Sequence, residues 1–400
     1  MPNLLLFDDG RGILSPLADL RASFDVRTGA LTTFHRAAAL YGLRPSALFV
    51  PPAIARITSQ AHTDITINGS PIDEPSLLIN GRCPALDPAW MGLAIGEGVL
   101  DPESGDLAAA CVAGSDAPRV AAGDLAGLST SALASPALIS RPWHVRRFRE
   151  PSIRIDLELL TRDWKPRTLP GVIAWGPHPV SIHGSARVAP TVVIEAEAGP
   201  VVIDEDAVVR PGSILIGPAY IGPHSTVIER TTIKPFTAIG PHCKIAGEVG
   251  GTIFQGYANK AHDGHLGDSW IGEWVNIGAG TTNSNLLNTY DQVICRATPG
   301  GPNERTGEQF LGAIVGDHVK FAIGSRIMTG SILNTGCMFA QTTPISGCVP
   351  AFTWATDSGT RAYRIDKFID VARTVMARRG VTPSDAYLER IRQVHAAATA

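Results

Sequence analysis

Hydrophobic side chains recur at every sixth position through the middle of the chain. This spacing is neither that of an amphipathic helix nor that of a single long strand. It predicts short strands joined by turns and wound into a solenoid, in which each coil stacks on its neighbours. Early repeats at Ile182, Val188 and Ile194 precede two regular runs, which are Ile203, Val209, Leu215, Ile221, Val227, Ile233, Ile239 and Ile245, and then Val315, Phe321, Ile327, Leu333, Phe339 and Ile345.

The region before the repeats alternates short apolar runs with helical patterns. Residues 4–7 form an apolar run of the buried-strand type, and similar runs lie at 77–79 and 108–112. A helical pattern covers about 32–43. Strands alternating with helices are typical of an α/β sheet domain. We therefore expect an α/β domain at 1–162, a linker at 163–177, the solenoid at 178–350 and a helical tail at 351–400.

The tail has two helical patterns separated by Gly380. Apolar residues recur at helical spacing from Ile365 to Met376, and Gly380 is a typical residue for ending such a helix. Thr382 as N-cap and Pro383 at the first position then predict a second helix. An α-hairpin over the open end of the solenoid is the expected arrangement.

Composition limits the kinds of partner. The 400 residues carry a formal charge of -3, with 18% charged side chains, and show no basic stripe of the kind that binds nucleic acid. We therefore expect a small-molecule ligand. The six cysteines have no CxxC spacing, and no apolar segment resembles a signal peptide or a membrane span. These features predict a cytoplasmic protein with reduced thiols.

The first 32 residues carry a set of short motifs, which are Leu6 to Asp9, Arg11, Pro16-Leu17, Leu20-Arg21, Gly29 and Leu31-Thr32. These motifs resemble the sugar-nucleotidyltransferase-like domain that precedes some hexapeptide acyltransferase domains. The resemblance implies a nucleotide or Mg²⁺ site at Asp8, Asp9 and Arg11. Enzymes of this kind carry a Gly-Asp strand end that supplies a metal ligand, whereas this chain has Gly81-Arg82 there.

The repeat falters between Asn259 and Asn285, where polar residues crowd together. The stretch contains Leu266-Gly267-Asp268 and Asn276-Ile277-Gly278-Ala279-Gly280-Thr281. These motifs resemble the left-handed parallel β-helix acyltransferases, in particular the family of bifunctional N-acetylglucosamine-1-phosphate uridyltransferase and glucosamine-1-phosphate acetyltransferase. The resemblance implies a left-handed coil, a homotrimer with sites between subunits, and acetyl-CoA as co-substrate.

The same resemblance assigns roles to individual residues. His262, four residues before Leu266-Gly267-Asp268, would be the general base, since imidazole titrates near working pH. Asn276 would contact the acceptor sugar, and Ala279 with Asn285 would line the acyl-CoA side. Lys244 and Lys260 are the nearest cations for a sugar phosphate. His265 stands where the family usually has an aromatic residue, and it is grouped with them as an acceptor-binding candidate.

Three functions remain open from the sequence. The first is acyl transfer from acyl-CoA to an amino-sugar phosphate or nucleotide-sugar, and the second is Mg²⁺-dependent sugar-1-phosphate nucleotidyl transfer by the N-terminal domain. The third is a non-catalytic trimer that binds a sugar nucleotide, in which the asparagines are only turn residues or stacked amides. An inserted loop from Arg296 to Gln309 separates the two repeat runs, and insertions of this kind commonly shape a binding site.

Overall fold

The computed structural model describes residues 2–69, 74–163, 165 and 167–400. Met1 of the predicted first domain, and Trp164 and Pro166 of the predicted linker, lie outside the described residues. The predicted fold class is confirmed: an α/β domain is followed by a left-handed type of parallel β-helix and then by C-terminal helices.

The N-terminal domain is built on a seven-stranded mixed sheet with strand order β3-β2-β1-β4-β6-β5-β7. The central strand β1 pairs in parallel with β2 and β4, and β6 runs antiparallel to β4. The apolar runs predicted as strands are β1, β4 and β6. The strands are β1 Asn3–Phe7, β2 Ala47–Phe49, β3 Thr66–Ile67, β4 Pro75–Asn80, β5 Glu97–Leu100, β6 Leu107–Ala113 and β7 Ser129–Ala132.

Within the described residues, the N-terminal domain contains four α-helices. The first has Thr32 as N-cap, accepting a hydrogen bond from the His35 amide, and ends at Gly42 in the left-handed region. The helices are α1 Thr33–Tyr41, α2 Pro52–Ala61, α3 Ala117–Ala121 and α4 His144–Leu160, and short 3-10 turns lie at Ser23–Asp25, Pro88–Gly92 and Gly114–Asp116.

The β-helix has three faces. Face 1 comprises Arg187–Val188, Val208–Val209, Thr226–Val227, Lys244–Ile245, Asn259–Lys260, Asn276–Ile277, Lys320–Phe321, Met338–Ala340, Thr353–Thr356 and the antiparallel Gly359–Ala362. Face 2 comprises Ile173–Trp175, Val193–Glu195, Ile214–Ile216, Thr232–Ile233, Glu248–Gly250 and His265–Gly267, followed by the separately paired Thr282–Asn283 and Arg326–Ile327. Face 3 comprises Val180–Ile182, Val201–Ile203, Ala219–Ile221, Thr237–Ile239, Ile253–Phe254, Trp270–Ile271, Ala313–Val315, Ser331–Leu333 and Cys348–Val349.

The core of the coil includes all the residues of the two regular runs that the repeat predicted. Every member of the two regular runs is buried, with none more than 4% exposed. Burying one such side chain is worth roughly 1.5 to 3 kcal/mol, so the stacked coils need no globular core. The regular hydrophobic spacing therefore explains the architecture.

Face 3 carries the N-terminal domain. Its outward side chains, such as Tyr220 and Trp270, pack against Trp143, Phe148 and Leu157 on or beside α4. The basic run at Arg146, Arg147 and Arg149 lies on this helix. Arg149 is buried against the coil, where its Nη1 donates to the Gly251 carbonyl.

Two further segments complete the molecule. Ile294–Cys295 pairs antiparallel with Glu304–Arg305, so the predicted inserted loop forms part of a hairpin. The tail forms α5 Ile365–Ala377 and α6 Asp385–Thr399, which pack on Phe352 of the last coils. The predicted N-cap of α6 at Thr382 is wrong because Ser384 accepts the hydrogen bond from the Tyr387 amide instead. Among the described residues, no helix has the length and apolar character needed to cross a membrane.

Candidate functional site

His262 lies in an exposed turn at the corner between face 1 and face 2. The turn stacks closely on the next coil, since the Gly280 amide donates to the Asp263 carbonyl at 3.1 Å. A Cβ atom at Gly264 would lie 2.0 Å from the Thr281 carbonyl oxygen, so this approach requires glycine. The backbone of the His262 turn therefore lies against the glycine-rich turn at residues 278–280.

Lys260 occupies an inward position in the coil. It pairs with Ile245 in the row of core side chains and is 1% exposed. Its Nζ donates to the His262 carbonyl at 2.7 Å, and burial lowers the pKa of Lys260 to about 8. The predicted contact of Lys260 with the acceptor stays a prediction, and in this structure its side chain points into the coil. The buried ammonium supports the backbone of the His262 turn.

Asn285 lies close to Asp268 rather than free in a groove. Its Nδ2 donates to Asp268 Oδ2 at 2.7 Å, while Arg149 Nη1 donates to Asp268 Oδ1 at 2.6 Å. Arg146 Nε lies 3.2 Å from the same carboxylate. The Leu-Gly-Asp motif thus anchors α4 to the coil. The assignment of Asn285 to acyl-CoA stays a prediction.

His265 is partly exposed on face 2. Its Nδ1 lies 3.4 Å from Glu248 Oε1, and Glu248 also receives a hydrogen bond from Lys234. The ring therefore has a carboxylate neighbour that would hold it when protonated. Its predicted contact with the acceptor stays a prediction.

Lys244 and Asn276 line one cavity of about 400 Å³ on face 1. The C-terminal end of α5 forms the opposite wall. Asn276 is exposed and lies in register between Asn259 and Lys320 of the neighbouring coils. We call this space the face 1 pocket; its lining residues are Lys244, Tyr257, Asn259, Trp274, Val275, Asn276, Lys320, Val375, Arg378 and Arg379. The sequence suggested neither Lys320 nor the pairing of this face with α5.

An aromatic stack runs along the corner between face 3 and face 1. His242, Tyr257 and Trp274 stack in succession, with ring centroids 4.6 Å and 4.3 Å apart. These residues have positive φ, which turns each chain segment at the same corner. The stack stiffens the wall of the face 1 pocket.

The predicted nucleotide or metal residues lie at the end of β1. Asp8 is buried, and its two carboxylate oxygens accept from the Gly10 and Ser23 amides. Burial raises the pKa of Asp8 despite these bonds. This carboxylate therefore closes a local turn, as acidic residues at strand ends often do.

Asp9 is held by Arg82. The guanidinium donates to both Asp9 oxygens at 2.8 and 2.6 Å, and to Asp106 Oδ2 at 2.6 Å. Arg11 also donates to Asp106, at 2.7 Å. Burial would raise the pKa of Asp106, but the bonds from Arg11 and Arg82 outweigh it and lower that pKa.

These residues do not fit Mg²⁺. A guanidinium lies where the carboxylates converge, and a divalent cation there would be repelled by it. Within the described part of the chain, no three His, Cys, Asp or Glu side chains cluster as metal ligands. The predicted metal role of Asp8 and Asp9 is therefore not supported by their geometry, and Arg11 stays a predicted nucleotide contact.

Comparison with known proteins finds a family match for the N-terminal region. Residues 4–165 match the family of sugar nucleotidyl transferases. This match agrees with the α/β sheet and with the motifs of the first 32 residues.

The chain is also similar to individual proteins. The chain is 30% identical over 210 residues to bifunctional protein GlmU of a Nostoc species, covering 46% of this chain and 45% of that protein. It is 34% identical over 134 residues to a bifunctional sugar-1-phosphate nucleotidylyltransferase/acetyltransferase of Sulfurisphaera tokodaii, covering 33% of each. These findings confirm the resemblance drawn from the motifs. The chain spans less than half the length of these relatives.

A solved structure of Arabidopsis UDP-N-acetylglucosamine acyltransferase aligns at 12% identity with a TM-score of 0.22, covering 56% of this chain and 86% of that one. A likeness of this size supports no inference about this chain.

Proposed function

We propose that the protein transfers an acyl group, in the first instance acetyl, from acyl-CoA to an amino-sugar phosphate or nucleotide-sugar. The observation that carries the proposal is the exposed His262 turn stacked on the Gly278–Gly280 turn, joined by the Gly280 to Asp263 hydrogen bond of 3.1 Å. The similarity to proteins named for both nucleotidyl and acetyl transfer supports it.

His262 would act as general base. Its imidazole takes the proton as the acceptor nitrogen or oxygen attacks the thioester carbonyl. The new carbon–nitrogen or carbon–oxygen bond forms, the carbon–sulfur bond breaks, and the leaving thiolate receives the proton from the imidazolium. A backbone amide of the Gly278–Gly280 turn would stabilise the oxyanion. The Gly280 amide already donates to Asp263, so Gly278 or Ala279 is the proposed donor.

We further propose a homotrimer with the His262 corner facing a neighbouring subunit. Ile323, in the turn above Ala279, is 80% exposed. A second copy of the chain would cover this apolar side chain, and the cleft between copies would hold pantetheine. Light scattering should give the trimer mass, and Ile323→Asp should lower it.

Nucleotidyl transfer is the second candidate, favoured by the family match of residues 4–165. The bridge that Arg82 makes between Asp9 and Asp106 argues against the Mg²⁺-dependent form of that reaction. A fold of this kind also serves as a binding or scaffolding unit.

One pair of assays separates these functions. Thiol release from acetyl-CoA is measured with a panel of amino-sugar phosphates and nucleotide-linked amino sugars, and pyrophosphate release is measured from nucleoside triphosphates with sugar 1-phosphates. We expect thiol release that depends on the acceptor. Pyrophosphate release alone would overturn the proposal, and binding of sugar nucleotides without either product would favour the non-catalytic trimer.

A further inference from the structure

The face 1 pocket has an unusual balance of charge. Lys244, Lys320, Arg378 and Arg379 all line it, and the described lining residues include no carboxylate. The protein as a whole has a net charge of -3, so this concentration of cations is local. Cations gathered without acidic partners create a positive potential that attracts anions.

The cations come from two separate elements. Lys244 and Lys320 project from face 1, whereas Arg378 and Arg379 directly follow α5, more than fifty residues later. Arg379 Nη2 donates to Asn259 Oδ1 at 2.6 Å, which fixes its guanidinium over the sheet. Packing of the tail against the coil therefore completes the pocket.

Lys320 is held in the wall without an acidic partner. Its Nζ donates to the Trp274 carbonyl, and burial lowers the pKa of Lys320 to about 7. The other titratable or charged groups that face the pocket are Lys244, Tyr257, Arg378 and Arg379. An anion in the pocket would favour the protonated form of Lys320.

We propose that the face 1 pocket binds the phosphate or diphosphate of the acceptor. This inference rests on the proposed acyl transfer and deepens it. Asn259 and Asn276 line the side of the pocket that leads along their own strands to the His262 turn and to the Gly278–Gly280 turn. An acceptor whose phosphate lies among the four cations can extend its sugar along this side toward the imidazole.

The phosphate-bearing ligand could also be CoA, and the experiment separates the two sources. Binding of inorganic pyrophosphate, glucosamine 1-phosphate, UDP, CoA and dephospho-CoA is measured by calorimetry on the full chain. We expect the first three to compete for one site. Arg378→Ala with Arg379→Ala should weaken pyrophosphate binding by about tenfold or more, because charge-assisted hydrogen bonds are lost.

Arg373→Ala is the matched control, since Arg373 is exposed on α5 and does not line the pocket. It should leave pyrophosphate binding unchanged. Lys320→Met should also weaken pyrophosphate binding, because it removes one of the four cations that line the pocket.

Three outcomes would overturn the inference. The first is a pyrophosphate affinity of the Arg378/Arg379 double variant equal to that of the wild type. The second is an equal loss of pyrophosphate affinity in Arg373→Ala. The third is a pocket that binds CoA but not the acceptor phosphates. His262→Ala should bind pyrophosphate normally, so an absence of acyl transfer would leave the pocket assignment standing and would count only against the proposed reaction.

Discussion

Arg149 and Asp268 form an ion pair, with 2.6 Å between Nη1 and Oδ1, that joins α4 to the β-helix. The arginine is buried, and its carboxylate partner belongs to the Leu-Gly-Asp motif. The N-terminal domain and the coil are therefore coupled through the same motif that neighbours the candidate base.

Breaking this pair should destabilise the protein. Arg149→Met leaves Asp268 with the more distant Arg146 and with Asn285, and removal of one partner of a buried pair typically costs about 3 kcal/mol or more. Denaturant unfolding measures the loss. Arg147→Met is the control, because its bond to Glu103 lies at the surface and should contribute less than about 1 kcal/mol. Equal effects of the two substitutions would contradict this account of the junction.

Truncation of an inward side chain and of an outward side chain on the same strand should cost different amounts of unfolding free energy. Leu215 is fully buried between Ile194 and Ile233 of the adjacent coils, whereas its neighbour Ile214 is 38% exposed. Leu215→Ala should cost about 2 to 5 kcal/mol of unfolding free energy. Ile214→Ala should cost much less, and thermal or urea unfolding of both variants tests the hexad pattern directly.

Lys260 should lower stability at neutral pH. Its folded-state pKa of about 8 is below the unfolded value, so the folded state binds the proton less well and stability rises as pH increases from about 8 to about 10.5. Lys260→Met should raise the unfolding free energy at pH 7 and flatten this pH dependence. Lys234→Met, at an exposed position on face 2, should do neither.

The same Lys260 substitution should also lower acyl transfer. The ammonium donates to the His262 carbonyl, and its loss frees the turn that carries the imidazole. If Lys260→Met is more stable than the wild type but transfers the acyl group more slowly, the lysine positions the His262 turn and does not stabilise the core. An unchanged rate would show that the lysine does not position His262.

His262→Asn should lower kcat for acyl transfer by about 10²- to 10⁴-fold, the usual contribution of a positioned base. The side chain is exposed, so the thermal midpoint should not change. His183→Asn, in an exposed turn of an early coil, is the matched control and should retain full activity. Wild-type turnover by a folded His262→Asn protein would exclude this residue as the base.

Magnesium ions should not stabilise the wild-type protein. Arg82 already neutralises Asp9 and Asp106, so millimolar MgCl₂ should leave the thermal midpoint unchanged. In Arg82→Ala the two carboxylates lose their cation, and the protein should become less stable but regain part of the loss with MgCl₂. A rise in the wild-type midpoint with Mg²⁺ would restore the metal site that the motifs imply.

Local patterns predicted much of this molecule. Short-range spacing predicts the solenoid, its inward residues, strands β1, β4 and β6 and helix α5. It does so because the spacing of apolar residues within each segment determines which of its side chains are buried. The helix cap at Ser384 was missed because Thr382 and Pro383 offered an equally good local signal.

Contacts between distant residues were beyond such patterns. Lys260 has the charge of an acceptor-binding residue, and only the stacking of coils places its side chain in the core row. Arg82 could be excluded as a metal ligand from its chemistry, yet its position between Asp9 and Asp106 depends on how β1, β4 and β6 pair.

The spacing of hydrophobic residues alone specifies a coil of stacked strands and the break in the repeat where His262 lies. Both features follow from residues that are close together in the sequence. The three-dimensional packing decided that Arg149 binds Asp268, 119 positions away, and that α5 brings Arg378 and Arg379 to Lys320. These groups meet because whole helices pack on the coil. The free energy of this packing comes from surfaces formed by residues far apart in the sequence, so no single stretch of sequence predicts it.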